Sequence, residues 1–231
     1  MSAAELRESL SLAMDGVVLS TPPKDAVARW NHCYGAEDHV WRKRSEGNHV
    51  DLLGHDLYAN QVPLDRAVPL WGGISEGGFA EVVIHKQKKL NEAEWTEAVK
   101  AGKLNAAIKS LNPVKTKGPW TVPCDNEGFL KTAASTKAHK KAKVLLWHVP
   151  KLSPDLNPVE KFWSWLRRRL RALDLRDIQK KRPVLAKMAY VKRVRSVCRS
   201  KKAQQVAKAC AKGWKRVCQE VVRKKGAASR G

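Results

Sequence analysis

The feature that most constrains this chain is how unevenly its charge is distributed. The formal net charge is +23 over 231 residues, and +21 of it falls in residues 161–231. There, 24 Lys and Arg stand against only Asp174, Asp177 and Glu220, whereas residues 1–160 are nearly balanced at +2. A segment with so many like charges cannot collapse on its own. It becomes ordered only by lending an apolar face to a core that the rest of the chain supplies. Such a face exists: Val206, Cys210, Trp214, Val217, Cys218 and Val221 fall at helical spacing on one side. Lys201, Lys202, Lys208, Lys212, Lys215 and Arg216 occupy most of the remainder. The pattern predicts a basic amphipathic helix that packs on the preceding domain and offers cations to phosphates. The division expected is a domain over 1–173 and a basic helical extension over 174–231.

Composition removes several classes. Apolar residues make up 43% of the chain, enough for a core, so disorder throughout is excluded. No run approaches the roughly 18 apolar residues of a membrane span, and no short apolar stretch follows a basic start. Neither a membrane partner nor secretion is expected. The five cysteines are odd in number and widely spaced, with no C-x-x-C pair. This argues against a disulfide scaffold or a thiolate zinc site and for a reducing compartment. A pI near 10.1 selects a polyanionic partner, nucleic acid before anionic lipid.

Periodicity gives a coarse order of elements. Residues 10–19 (LSLAMDGVVL) read as a strand interrupted at Asp15-Gly16, and residues 39–43 as a short strand. Residues 67–84 read as two strands joined through Ser75-Glu76-Gly77-Gly78. Residues 91–111 are helical, with Asn91 and Glu94 as a capping box. Residues 120–124 make a short strand despite Pro123, and 129–143 a basic, Ala-rich helix. The apolar run 144–149 carries the mark of a strand buried on both faces. Residues 158–173 form a strong helix with Val159, Phe162, Trp163, Leu166, Leu170 and Leu173 on one side. The class expected is α/β: a mixed sheet, antiparallel in its first three strands and parallel afterwards, flanked by helices.

Two acidic segments stand at positions suited to chemistry. Asp125 and Asn126 follow a strand, where open α/β sheets gather their ligands. Glu160 lies in the first turn of a helix, where the dipole favours a carboxylate. Each also has an ordinary reading. Asp-Asn-x-Gly is a common turn, and Asn157-Pro158-Val159-Glu160 is a normal helix start with Asn157 as cap and Glu160 folding back on it. The two readings of Glu160 are compatible only if its side chain swings away from the cap. The seven histidines have no metal-ligand spacing and read as surface or structural groups.

The combination Ser-Pro-Asp-Leu-Asn-Pro-Val-Glu over 153–160, ahead of an aromatic helix and behind the Asp-Asn strand, resembles the mariner-type (Tc/mariner superfamily) DDE transposases. Trp71-Gly72-Gly73-Ile74-Ser75 is similar to the central strand of that family, and 34 residues separate Asp125 from Glu160. The resemblance covers roughly residues 10–173. It implies a ribonuclease H-like catalytic domain with Asp15, Asp125 and Glu160 as catalytic residues and metal ligands. The family's first acid usually stands in Asp-Glu before a hydrophobic strand. Asp15 matches that context with Gly16 in place of Glu, and Asp25, after Pro22-Pro23-Lys24, is the competitor.

The resemblance further implies Mg²⁺ or Mn²⁺ as cofactor, acting as a pair of ions at the phosphodiester. It implies double-stranded DNA, both transposon ends and target, as partner, a homodimer as the working unit, and the nucleus as location in a eukaryotic cell. Phosphate contacts are expected from Arg167, Arg168, Arg169 and Arg171, which follow the acid-bearing helix start, and from the six cations of the 201–216 stretch. Trp165, off the apolar stripe, is the better base-stacking candidate, and Trp163 belongs to the core. Family members usually carry paired helix-turn-helix domains ahead of the catalytic core, and the position of Asp15 leaves no room for them. The alternative function is therefore an inactive or domesticated transposon-derived DNA-binding protein.

Overall fold

A computed structural model describes residues 12–34, 62–84, 90–112, 117–150 and 156–223. Its centre is a five-stranded sheet of β1 (Ala13–Ser20), β2 (Ala67–Ser75), β3 (Gly78–Ile84), β4 (Trp120–Cys124) and β5 (Val144–His148), in the order β3-β2-β1-β4-β5. β1 runs antiparallel to β2, and β2 to β3; β4 runs parallel to β1 and β5 parallel to β4. The helices are α1 (Ala26–Tyr34), α2 (Glu92–Lys100), α3 (Lys103–Leu111), α4 (Ala133–Lys141), α5 (Val159–Gln179), α6 (Lys187–Arg199) and α7 (Lys201–Arg223). This is the mixed α/β architecture that the periodicity predicts.

Alternation along β1 sorts the core into two layers, because successive side chains of a strand leave opposite faces. Leu12 and Met14 join Trp71, Trp95, Leu104, Ile108, Trp120 and Val122 beneath α2, α3 and α4. Ala13, Val17 and Leu19 join Val68, Leu70, Ile74 and Phe79 beneath α5, α6 and α7. In the second layer Phe79 stacks on Phe162 at 4.7 Å and meets Trp163 edge-on at 5.7 Å. The apolar stripe read on the 158–173 helix is this contact: Val159, Phe162, Trp163, Leu166 and Leu170 are all buried.

Several local expectations are corrected. β1 is not interrupted at Asp15-Gly16; its register with β2 is unbroken from Ala13↔Ile74 to Ser20↔Ala67. The irregularity lies between Trp71 and Gly72 in the β2–β3 pairing. β5 is not buried on both faces but is the last strand of the sheet, and Leu145 is 62% exposed. The 91–111 helix is two helices, broken at Gly102, whose φ of +75° lies in the left-handed region that glycine tolerates. Asn91 does cap the first of them, accepting from the Glu94 N–H at 2.9 Å. The 129–143 segment is a short 3₁₀ turn, Gly128–Lys131, followed by α4 with Thr132 as its cap. The strand expected over 39–43 lies outside the described residues.

The basic segment is part of the fold. Residue 173 falls inside α5, and α6 and α7 return across the sheet. α7 approaches the strands through Ala203 and Ala207, both fully buried, with Val206, Cys210 and Ala211 at its flank. Its Gln204 reaches the outer edge of β3: Oε1 accepts from the Phe79 N–H at 2.9 Å, and Nε2 donates to the Phe79 carbonyl at 3.3 Å. The amide thereby occupies the place of a neighbouring strand. Two of the segment's three acids are also internal. Arg193 binds Asp174 Oδ1 at 2.6 Å and Asp177 Oδ2 at 2.5 Å; Tyr190 donates to Asp174, and Arg182 to Asp177. Burial pushes the Asp177 carboxyl up, but the bonds and charges of Arg193 and then Arg182 more than offset this and hold it below its ordinary value.

Removing Arg193 takes a charged partner from two buried acids, leaving Asp174 with Tyr190 and Asp177 with Arg182. Arg193→Met should therefore lower stability by about 3–5 kcal/mol, the usual cost of breaking a buried ion pair from one side. Urea unfolding of the variant beside the wild type checks this.

Candidate active site

Asp15 occupies the middle of the sheet and is 6% exposed. Standing between Ala13 and Val17, it faces α5, and its cross-strand partner on β2 is Gly72. The glycines of Trp71-Gly72-Gly73 and Gly16 are explained by close approach. A Cβ at Gly72 would lie 2.7 Å from the Phe79 ring, and one at Gly73 would lie 2.6 Å from the Ala13 carbonyl oxygen and the Leu12 side chain. A Cβ at Gly16 would fall 2.5 Å from the Trp71 indole. Gly16 is thus required by the tryptophan lying over it and not by a bend.

Asp125 leaves the C-terminal end of β4. Trp120, Val122 and Cys124 point to the opposite layer, so alternation turns Asp125 toward the α5 side. It is exposed, and its Oδ1 accepts from the Asn126 N–H at 2.8 Å. The turn is braced from two directions. Asn126 Nδ2 donates to the Val149 carbonyl and its Oδ1 accepts from Lys131 Nζ, while His148 Nδ1 donates to the Asp125 carbonyl at 3.1 Å. Asn126 therefore serves the turn that carries Asp125.

Glu160 sits in the first turn of α5. Asn157 Oδ1 accepts from the Val159 N–H at 3.3 Å, so Asn157 caps the helix, as its sequence position predicts. The glutamate side chain does not fold back on the cap; it shares a hydrogen bond with Asp15. Two acids 145 positions apart thereby meet between sheet and helix. The Asp15 carboxyl is raised well above its ordinary value, first by burial, then by the charge of Glu160, with a smaller contribution from Asp125; only the Gly16 backbone bond opposes the rise. Glu160 is in contact with Asp15, and the charge of Asp125 reaches the same carboxyl more weakly. Among the described residues no group of three His, Cys, Asp or Glu side chains is closed tightly enough to enclose a metal ion.

Other titratable groups nearby are structural. The Cys124 thiol is pushed up to about 12 by burial and then by Asp125 and Asp15. Burial lowers His139 to about 4, and its Nε2 accepts from Trp95 Nε1 at 2.8 Å. Asp25 caps α1, accepting from the Ala28 N–H at 2.8 Å, and takes no part in the acidic group. His148 was not singled out by spacing. Its signal was its place at the end of an apolar strand, which in a parallel pair lies beside the end of the Asp125 strand.

Of the cations named from sequence, Arg167, Arg168 and Arg169 are exposed on α5, and Arg171 is half-buried. Lys201, Lys202, Lys208, Lys212 and Arg216 are exposed on α7, four of them (201, 208, 212, 216) along one stripe about 22 Å long. The Lys215 side chain lies outside the described residues. Trp163 is core, as expected. Trp165 is half-buried and packs on Phe162 at 5.8 Å.

A central β-sheet of this order, flanked by helices and carrying acids on β1, at the end of β4 and at the start of α5, is a ribonuclease H-like fold. The family model described as DDE superfamily endonuclease matches residues 54–182, and the chain belongs to that family. The match spans Asp125 and Glu160 and begins after Asp15. Among solved structures, the Mos1 transposase paired-end complex with left transposon end shares 10% identity at TM-score 0.59, covering 98% of this chain and 59% of that one. The catalytic domain of Mos1 mariner transposase shares 14% at TM-score 0.55, covering 83% and 98%. The Mos1 catalytic domain with Raltegravir and Mn shares 14% at TM-score 0.55, covering 75% and 90%. At these identities the likeness is one of fold. The chain spans about three fifths of the length of the Mos1 chain in the paired-end complex. No curated protein matches the sequence.

A raised carboxyl favours the folded state only while protonated. Asp15 therefore costs nothing below its ordinary value of 3.8, and the cost grows as pH rises from there to its folded value. Asp15→Asn should match the wild type in stability at the acidic end of that window and exceed it progressively above, as urea midpoints across pH would record.

Proposed function

We propose that this chain is a divalent-metal-dependent DNA endonuclease and strand transferase acting in transposition. Membership of the DDE endonuclease family supports this, and the observation that carries it is the contact of Glu160 with the buried Asp15, with Asp125 near enough for its charge to act on the same carboxyl. The donor set suits the cofactor. Carboxylate oxygens are the hard ligands that Mg²⁺ and Mn²⁺ prefer, and the repulsion that raises Asp15 is what a divalent cation relieves. Asp15, Asp125 and Glu160 would hold the ions, which would supply Lewis acidity at the phosphodiester.

The chain's own residues do the rest. Asn157 and the α5 N-terminus aim Glu160 at Asp15, and Asn126 with His148 fixes the turn that presents Asp125. Arg167–Arg169 and the α7 stripe hold the DNA backbone on either side. The solved Mos1 structures named above concern transposon-end complexes and an Mn-bound catalytic domain, and by analogy of fold DNA ends and Mn²⁺ or Mg²⁺ are assigned here. Pairing of two such ends by a homodimer, in the nucleus of a eukaryotic cell, belongs to the same reading. One observation favours a non-cleaving DNA-binding protein as the second reading: the family's Asp-Glu is Asp-Gly here, and Trp71 fills the space a side chain at Gly16 would need.

Nicking of supercoiled plasmid with Mg²⁺ or Mn²⁺ separates the two. Asp125→Ala and Glu160→Ala should each lower the rate by about a hundredfold or more; unchanged nicking in either would overturn the catalytic assignment. Deleting 161–231 would remove core helices, so the basic surface is tested by neutralisation. Changing Lys201, Lys202, Lys208 and Lys212 to Gln should reduce the slope of log affinity against log salt by about three to four. An unaltered slope would take α7 out of the interface.

A further inference from the structure

α7 touches the acidic end of the sheet through Trp214. The Trp214 indole N–H donates to the Leu156 carbonyl at 2.7 Å, and its ring meets Trp147 of β5 edge-on at 6.3 Å. Leu156 directly precedes Asn157, the cap of α5, and stands four residues before Glu160. Ten residues earlier on the same helix, Gln204 grips Phe79 at the far edge of the sheet. α7 is thus fastened at both ends of a segment about 15 Å long, once to the β3 edge and once to the turn that begins α5. An indole N–H donates and never accepts, and Leu156 leads straight into the turn that sets Glu160, so the polar end of this tryptophan has a specific task. Packing against Trp147 alone would be served as well by phenylalanine.

We propose that Trp214 is a positioning residue for Glu160, so that seating of the lysine-bearing helix on a DNA backbone and alignment of the carboxylate are a single event. Lys208 and Lys212 lie within the two turns before Trp214, so a phosphate drawn to them loads the helix that holds Leu156. The inference rests on the endonuclease reading above and adds to it a route by which substrate binding reaches the metal-binding acids.

The test uses the full chain with Trp214→Phe, which keeps a ring against Trp147 and loses the donor, beside Trp214→Ala. Trp214→Phe should lower kcat for Mn²⁺-dependent nicking about tenfold or more while DNA affinity stays within about twofold and the melting temperature is little changed. Amide exchange at Val159 and Glu160, read by NMR, should quicken in the same variant. Wild-type kcat with wild-type exchange at these amides would overturn the proposal. So would a loss of kcat that merely tracks equal losses of DNA affinity and melting temperature. If the wild type cuts no DNA, the endonuclease reading fails by itself, and exchange with and without a DNA duplex still decides. Added protection at Val159 and Glu160 in the wild type but not in Trp214→Phe supports the coupling; equal protection in both refutes it.

Discussion

The arrangement depends on placing a carboxyl group inside the sheet beneath the start of a helix. A lone buried carboxylate is costly. Asp15 is accommodated as the neutral acid that burial and the Glu160 carboxyl both favour, with one backbone hydrogen bond from Gly16. Those contacts require α5 to come down close on β1 and β2, and the surrounding sequence reads as the means. Gly72 opposite Asp15 leaves room for the Phe79 ring, which then stacks under Phe162. Gly16 leaves room on the other face for Trp71, which packs against Trp95 and Phe129. The aromatic layers on both sides of the sheet and the acidic group between them are thus one packing solution.

Much of this was legible in the sequence, and the parts that were not share a cause. The α5 stripe, the Asn91 and Asn157 caps and the turn between β2 and β3 are local signals, set by neighbours three or four residues away. The mixed sheet followed from the order of those elements. What failed depended on distant partners. Gly16 looked like a break in a strand because nothing local announces that Trp71, on another strand, lies over it. The 144–149 run looked doubly buried because hydrophobicity does not say whether a strand is central or last. At the site, the Asp125 and Glu160 motifs were readable, and of the two candidates for the first acid the structure puts Asp15 beside Glu160 and Asp25 at the start of α1.

The basic segment shows how strongly charged chain can be built into a core. Its apolar atoms come from small residues and helix stripes, its two internal acids are neutralised by its own Arg193 and Arg182, and Arg167–Arg169, Lys201, Lys202, Lys208, Lys212 and Arg216 are exposed. The surplus charge is therefore available to a polyanion without being paired off inside the protein. Glu81 is handled in the same way from outside, held by a two-pronged contact from Arg195 of α6.

Gln204 has an evolutionary consequence. Without it, the Phe79 peptide would present an unpaired donor and acceptor at the rim of the sheet, the kind of surface on which foreign chains add as extra strands. Erosion of the gene from its 3′ end past this codon would remove the lysine-bearing helix and uncover that rim in one step.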